Sequence, residues 1–114
     1  MGSTTEQLIQ QWRNGDQNSA EMLYNQWRAD VLRLAFGLLN NGTDDARADA
    51  EEVMQDALLY ALANINRFDP QRAAFRTWLH RITVSRVRDK QRRKRFPLLA
   101  WRDWFQTRPD PESR

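Results

Sequence analysis

Apolar residues recur at spacings of three and four along most of the chain, and no segment sustains an alternation of apolar and polar residues. That spacing is the period of a helix rather than of a strand, so the chain is expected to be all-α: a bundle of three main helices plus a short N-terminal one. Ser3-Thr4-Thr5-Glu6 has the form of a capping box and precedes a short stripe of Leu8, Ile9 and Trp12, which Asn14-Gly15 ends. Asp16 or Ser19 then caps a second helix, whose stripe is Ala20, Leu23, Trp27, Val31, Leu34, Ala35 and Leu38. Asn40-Asn41-Gly42 stops it. Thr43 is the expected cap of a third helix, with the stripe Ala50, Val53, Ala57, Ala61 and Ile65 widened by Met54, Leu58 and Leu62.

Asn66 to Gln71 is expected to be a loop, because Pro70 disfavours helix at Asp69. A fourth helix is expected from near Ala74 to about Arg95, burying Phe75, Trp78, Leu79 and Ile82. After Ile82 only Val84 and Val87 are apolar, so its distal half is expected to project from the core. Phe96-Pro97 ends it, Leu98 to Gln106 has the makings of a short apolar turn or helix, and Arg108 to Arg114 reads as a disordered tail. The expected division is thus a helical domain over 1–96 and a linker or tail over 97–114.

With 114 residues the chain suits one domain with one modest core. It has no Cys and a single His, which leaves neither a thiolate metal site nor a disulfide framework and suits a reducing cytoplasm. No apolar run approaches the roughly 20 residues of a membrane span, and the N-terminus has no secretory pattern. Neither membrane nor cofactor is expected. Catalysis finds little support. Asp44/Asp45 and Glu51/Glu52 are sequence neighbours, so each pair diverges on a helix, His80 has no evident nucleophile, and there is no Gly-rich phosphate loop. The chain is not expected to be an enzyme.

The net charge is only +3, but it is polarised. Residues 43–56 hold six acids against Arg47, and residues 67–95 hold eleven Lys and Arg against Asp69 and Asp89. Either run alone suits a solvated helix face. Together in one small domain they suggest two partners of opposite charge. Glu52, Gln55, Asp56 and Leu59 share one helical face beside the apolar stripe, a form that suits docking of a basic partner. Arg86, Arg88, Lys90, Arg92, Arg93, Lys94 and Arg95 crowd one helix, an electrostatic footprint for nucleic acid. No amphipathic apolar face accompanies them as membrane binding would require.

The order of these pieces carries more than any one of them. Glu52 to Asp56, then Arg67-Phe68-Asp69-Pro70, then Phe75-x-x-Trp78-Leu79-x-Arg81-Ile82, then the basic run Arg86 to Arg95, resembles region 2 of the extracytoplasmic-function sigma factors. The earlier Leu23 to Leu39 segment is similar to that family's region 2.1, and the likeness covers roughly residues 6–95. It implies a domain that binds core RNA polymerase and recognises and melts the promoter −10 element. The acidic face at Glu52, Gln55, Asp56 and Leu59 would then meet the clamp helices of the polymerase's largest subunit. The pocket for unstacked non-template bases would lie between the loop and the start of the basic helix. Phe68, Arg72, Phe75, Arg81, Ser85 and Asp89 would form it, with Arg86, Arg88, Lys90, Arg92 and Arg93 on phosphates. Phe68 would stack on a base or pack over the helix ends, and Trp78 is expected in the core. An anti-sigma factor is a further partner of such a domain.

Several positions depart from the family pattern. Ser85 stands where many members carry Asn, which leaves the captured base open. Arg86, Arg88 and Gln91 are often apolar in the family. The helix-turn-helix domain that reads the −35 element is absent, so the segment is a truncated piece or the intact protein lacks that domain. Trp101, Trp104 and Phe105 would then open the interdomain linker. The alternative is a helical protein-interaction or polymerase-sequestering module without sequence-specific DNA binding.

Overall fold

A computed structural model describes residues 4–40, 42 and 45–95. The helices are α1 (Thr5–Arg13), α2 (Gln17–Leu39), α3 (Asp45–Ala63) and α4 (Phe75–Arg95), with a 3-10 turn at Ile65–Arg67. No strand occurs among the described residues, so the all-α expectation holds. The expected cap at Thr43 and the segment from Phe96 to the tail lie outside the described residues.

Local chemistry sets each boundary. α1 begins in a capping box one residue later than the sequence suggests. Thr4 accepts from the Gln7 amide, and the Gln7 side chain accepts from the Thr4 amide. A glutamine at the third helical position serves as well as a glutamate there, so the box is Thr4–Gln7 rather than Ser3–Glu6. Gly15, at φ +94°, makes the turn into α2, a backbone conformation that side chains resist. Asp16 caps α2 by accepting from the Asn18 amide, and the hydroxyl of buried Ser19 lies within hydrogen-bond reach of Asp16 and Gln11.

α2 packs on α1, α3 and α4, and α3 packs on α4. The principal core joins Leu8 and Ile9 of α1, Leu23 and Val31 of α2, Met54, Ala57, Leu58 and Ala61 of α3, and Phe75, Trp78, Leu79 and Ile82 of α4. At the end of α2 the buried residue is Leu39, while Leu38 is 45% exposed. The expected stripe is therefore displaced by one position there.

The largest departure concerns α4. Its distal half does not project from the core. Val87 joins Ala35, Leu39, Ala50 and Val53 in a second apolar cluster, and Thr83 and Arg86 are buried beside it. Thr83 satisfies its hydroxyl by donating to the Leu79 carbonyl. Polar residues at these positions hid the docking face from a hydropathy count.

Candidate interface on α3 and α4

The two charged runs meet. Lys90 Nζ lies 2.9 Å from Glu52 Oε2 and 3.7 Å from Asp49 Oδ1. Lys94 Nζ donates to Asp49 and lies 4.0 Å from Asp45. One turn nearer the core, Arg86 approaches Asp56 at 3.5 Å and Asp89 at 3.6 Å, with its guanidinium 4.7 Å from the Tyr60 ring centroid. Much of the charge that suggested two external partners is thus used between α3 and α4. The Asp49 hydrogen bond holds the Lys94 ammonium above its ordinary pKa of 10.5, against a smaller opposing effect of desolvation, with the charges of Asp49, Asp45 and Glu52 adding to the rise. A raised lysine stabilises the fold fully below its unfolded pKa and loses that contribution only as pH climbs through the folded one. Lys94 therefore stays charged in this contact at neutral pH.

The pairing divides each helix into an inward and an outward set. On α3, Glu52 and Asp56 border α4 and are engaged by Lys90 and Arg86. Gln55 and Leu59 face outward, and Leu59 is 61% exposed, the largest exposure of any big apolar side chain described. On α4, Arg81, Ser85, Arg88, Arg92 and Arg95 follow each other at spacings of three and four, on the face turned away from α3. The four arginines of that row are exposed, and Ser85 is half-buried. Arg88, Gln91, Arg92 and Arg95 line a shallow cleft at its far end. Arg92 also reaches Asp89, and Arg93, half-buried, turns its Nε toward the Asp89 carbonyl.

Three residues expected at the DNA contact lie beneath the surface instead: Phe68, Phe75 and Arg86 are each under 10% exposed. Phe68 packs against Phe75 and Trp78, with ring centroids 5.4 and 5.3 Å apart, and Trp27 meets Phe75 at 5.5 Å. Edge and tilted contacts of this kind bury large apolar rings favourably. Of the two expectations for Phe68, packing over the helix ends is the observed one. Arg72 is exposed on the loop, whereas Asp89 and Lys90 are half-buried.

Two features lie outside the sequence motifs. His80 Nε2 lies 2.6 Å from Asp30 Oδ2, and Arg76 lies 3.5 Å from Asp30 Oδ1, which ties α4 to α2. Trp12 and Arg13 of α1 reach the carbonyls around the end of α3. Nothing in the identity of these residues marks such roles, and only the fold joins partners some 50 positions apart. Among the described residues no group of three or more His, Cys, Asp or Glu is placed to hold a metal ion. No described helix is long and apolar enough to cross a membrane.

Residues 23–96 match the family model for sigma-70 region 2. The chain is 31% identical over 87 residues to the ECF RNA polymerase sigma factor SigW of Bacillus subtilis (strain 168). This chain belongs to the sigma-70 region 2 family. The ordered motifs of α3, the loop and α4 had pointed to that family. The SigW alignment takes in 76% of this chain but 43% of the relative, so the chain spans less than half of that protein's length. No solved structure matches the chain. The family match begins at Leu23 and leaves α1 outside it.

Proposed function

We propose that this sigma region 2 domain docks on core RNA polymerase through the outer face of α3. It then holds the non-template strand of the promoter −10 element along the loop at 68–74 and the outward face of α4. The observation that carries this reading is the division of the basic helix. Lys90, Lys94 and Arg86 are engaged by α3, while the row Arg81, Arg88, Arg92 and Arg95 is turned to solvent on the helix that follows the loop. Guanidinium groups in such a row suit the phosphates of a single strand. The pocket for an extruded base falls where the row meets the loop, at Arg72, Arg81 and Ser85. Phe68 and Phe75 pack against each other at the two ends of the loop and hold it on the core. A domain with this role works in the cytoplasm, where polymerase and promoter are.

The outward cations set the salt dependence. About four or five of them within reach of phosphates give a log–log slope of roughly −3 for single-stranded DNA. Titration of a labelled −10 strand at several salt concentrations measures it. A slope near zero would remove DNA from the list of ligands and favour a module that only binds or sequesters polymerase.

On α3, exposed Leu59 beside Gln55 gives an apolar contact rimmed by Glu52 and Asp56. Replacing both Gln55 and Leu59 by Ala is expected to weaken polymerase binding by about 1 kcal/mol, roughly five-fold. Helicity should not change, since neither side chain is buried. Unchanged affinity in a titration against core enzyme would free this face from the docking role.

A further inference from the structure

We infer that Trp12 and Arg13 of α1 are positioning residues for the base-reading loop, an inference that rests on the DNA-binding role proposed above. Three backbone carbonyls near the end of α3 take donors from this one short helix. Trp12 Nε1 donates to Leu62 O at 2.8 Å, and Arg13 Nη2 donates to Ile65 O at 3.1 Å and to Phe68 O at 2.5 Å. Leu62 O is among the last carbonyls of α3, which have no partner within the helix, so an outside donor there helps decide how the chain leaves. A cation there is also favoured by the helix dipole.

The two bonds from Arg13 span a change of structure. Ile65 opens the 3-10 turn, and Phe68 is the first residue beyond it. A single nitrogen thus fixes the turn to the start of the loop and uses both of its N–H groups to do so. Arg13 Nε is buried without a hydrogen-bond partner. A buried polar atom left unmatched opposes the placement, so the contacts of Nη2 are what hold the side chain there. At its other end the loop is anchored by Phe75, whose ring lies against Phe68, Trp27 and Trp78. Between these anchors the loop's own bonds are local: the Gln71 amide donates to the Asp69 carboxylate, and the Arg72 and Ala73 amides to the Asp69 carbonyl. The path of Asp69 to Ala74, and with it the position of Arg72, therefore depends on α1.

The experiment compares the full chain with Arg13→Ala, Arg13→Lys and Trp12→Phe. Hydrogen exchange is followed at the amides of Phe68, Gln71, Arg72 and Ala73, and affinity is measured for single strands that differ at one −10 position. In Arg13→Ala, exchange at these amides should quicken at least ten-fold while α4 amides from Leu79 to Val87 keep their protection. The preference among strands should fall at least five-fold, with affinity for the poorest strand and the salt slope unchanged. Arg13→Lys should not restore the preference, because an ammonium lacks the guanidinium's planar fork. Trp12→Phe, which keeps the ring and removes the N–H, should act in the same direction more weakly. A mere loss of stability would quicken exchange everywhere and weaken all strands together, and that result overturns the inference. So does unaltered exchange in the loop, whatever the DNA results. A wild type that ranks no strand, with loop exchange quickened in Arg13→Ala, instead overturns the base-reading role and leaves α1 as a brace of a loop that reads no base.

Discussion

Replacing Asp56 and Asp89 together by Ala is expected to destabilise the domain by about 3–5 kcal/mol, and Arg86→Met in that background is expected to recover most of the loss. The reason is an asymmetry of burial within one ion cluster. The Arg86 side chain is 5% exposed, whereas Asp56 is 41% and Asp89 13% exposed. Taking away the acids strands a guanidinium in the interior, where an uncompensated charge is costly. Its Nε and Nη1 already lack hydrogen-bond partners, with the carboxylates held at ion-pair rather than hydrogen-bond distance. Taking away Arg86 leaves acids that reach water, or Arg92 in the case of Asp89. Arg86→Met alone, of similar length and able to lie against Tyr60, should therefore cost less than about 1 kcal/mol or stabilise slightly. Chemical denaturation of the four proteins in a double-mutant cycle measures the coupling. Additive effects would mean that Arg86 is held by packing alone. For a domain whose total stability is of order 5–15 kcal/mol, the uncompensated form would lie close to unfolding.

That cluster also marks where sequence reasoning reached its limit. The helices, the loop at Asp69-Pro70 and the core residues Val53, Ala57, Trp78 and Ile82 were legible because apolar spacing reports directly which face is buried. Arg86 was not. A basic residue within a basic run looks solvated, and nothing in its own identity announces that Asp56 and Tyr60 wait opposite. The same holds for Lys90 and Lys94. Their role as a clasp on Asp49 and Glu52 exists only once α3 and α4 lie side by side. Motif order was informative about family because it does not depend on which charges pair. Contact roles do depend on it. Among the residues first gathered for DNA, the fold separates an outward set at Arg72, Arg81, Arg88 and Arg92 from a buried set at Phe68, Phe75 and Arg86. Trp12 and Arg13 fell outside every motif, since their partners are backbone carbonyls, which leave no signature in sequence.

The outward row also separates sequence reading from charge, and Ser85 is the residue on which the separation turns. It lies half-buried one turn beyond Arg81, within the outward row of α4. Its hydroxyl both donates and accepts, and its short side chain leaves space for a base edge. Ser85→Asn extends a donor and an acceptor further into that space, so it is expected to change which −10 base is preferred. A discrimination change of about 1–3 kcal/mol is the usual size for one good base contact, or about five- to 150-fold in relative affinity. Arg95→Ala is the contrasting variant. Arg95 is exposed at the far end of the row, in the cleft with Arg88 and Arg92, and a phosphate contact there carries no sequence information. Its loss should weaken four strands differing at one position by equal factors and make the salt slope about 0.7 shallower. Affinities of the wild type and both variants for the four strands complete the comparison. Equal weakening of all four by Ser85→Asn would take Ser85 out of the pocket. A changed ranking in Arg95→Ala would carry the pocket further along α4, because only a group that meets a base edge can alter preference without altering charge at the bases themselves.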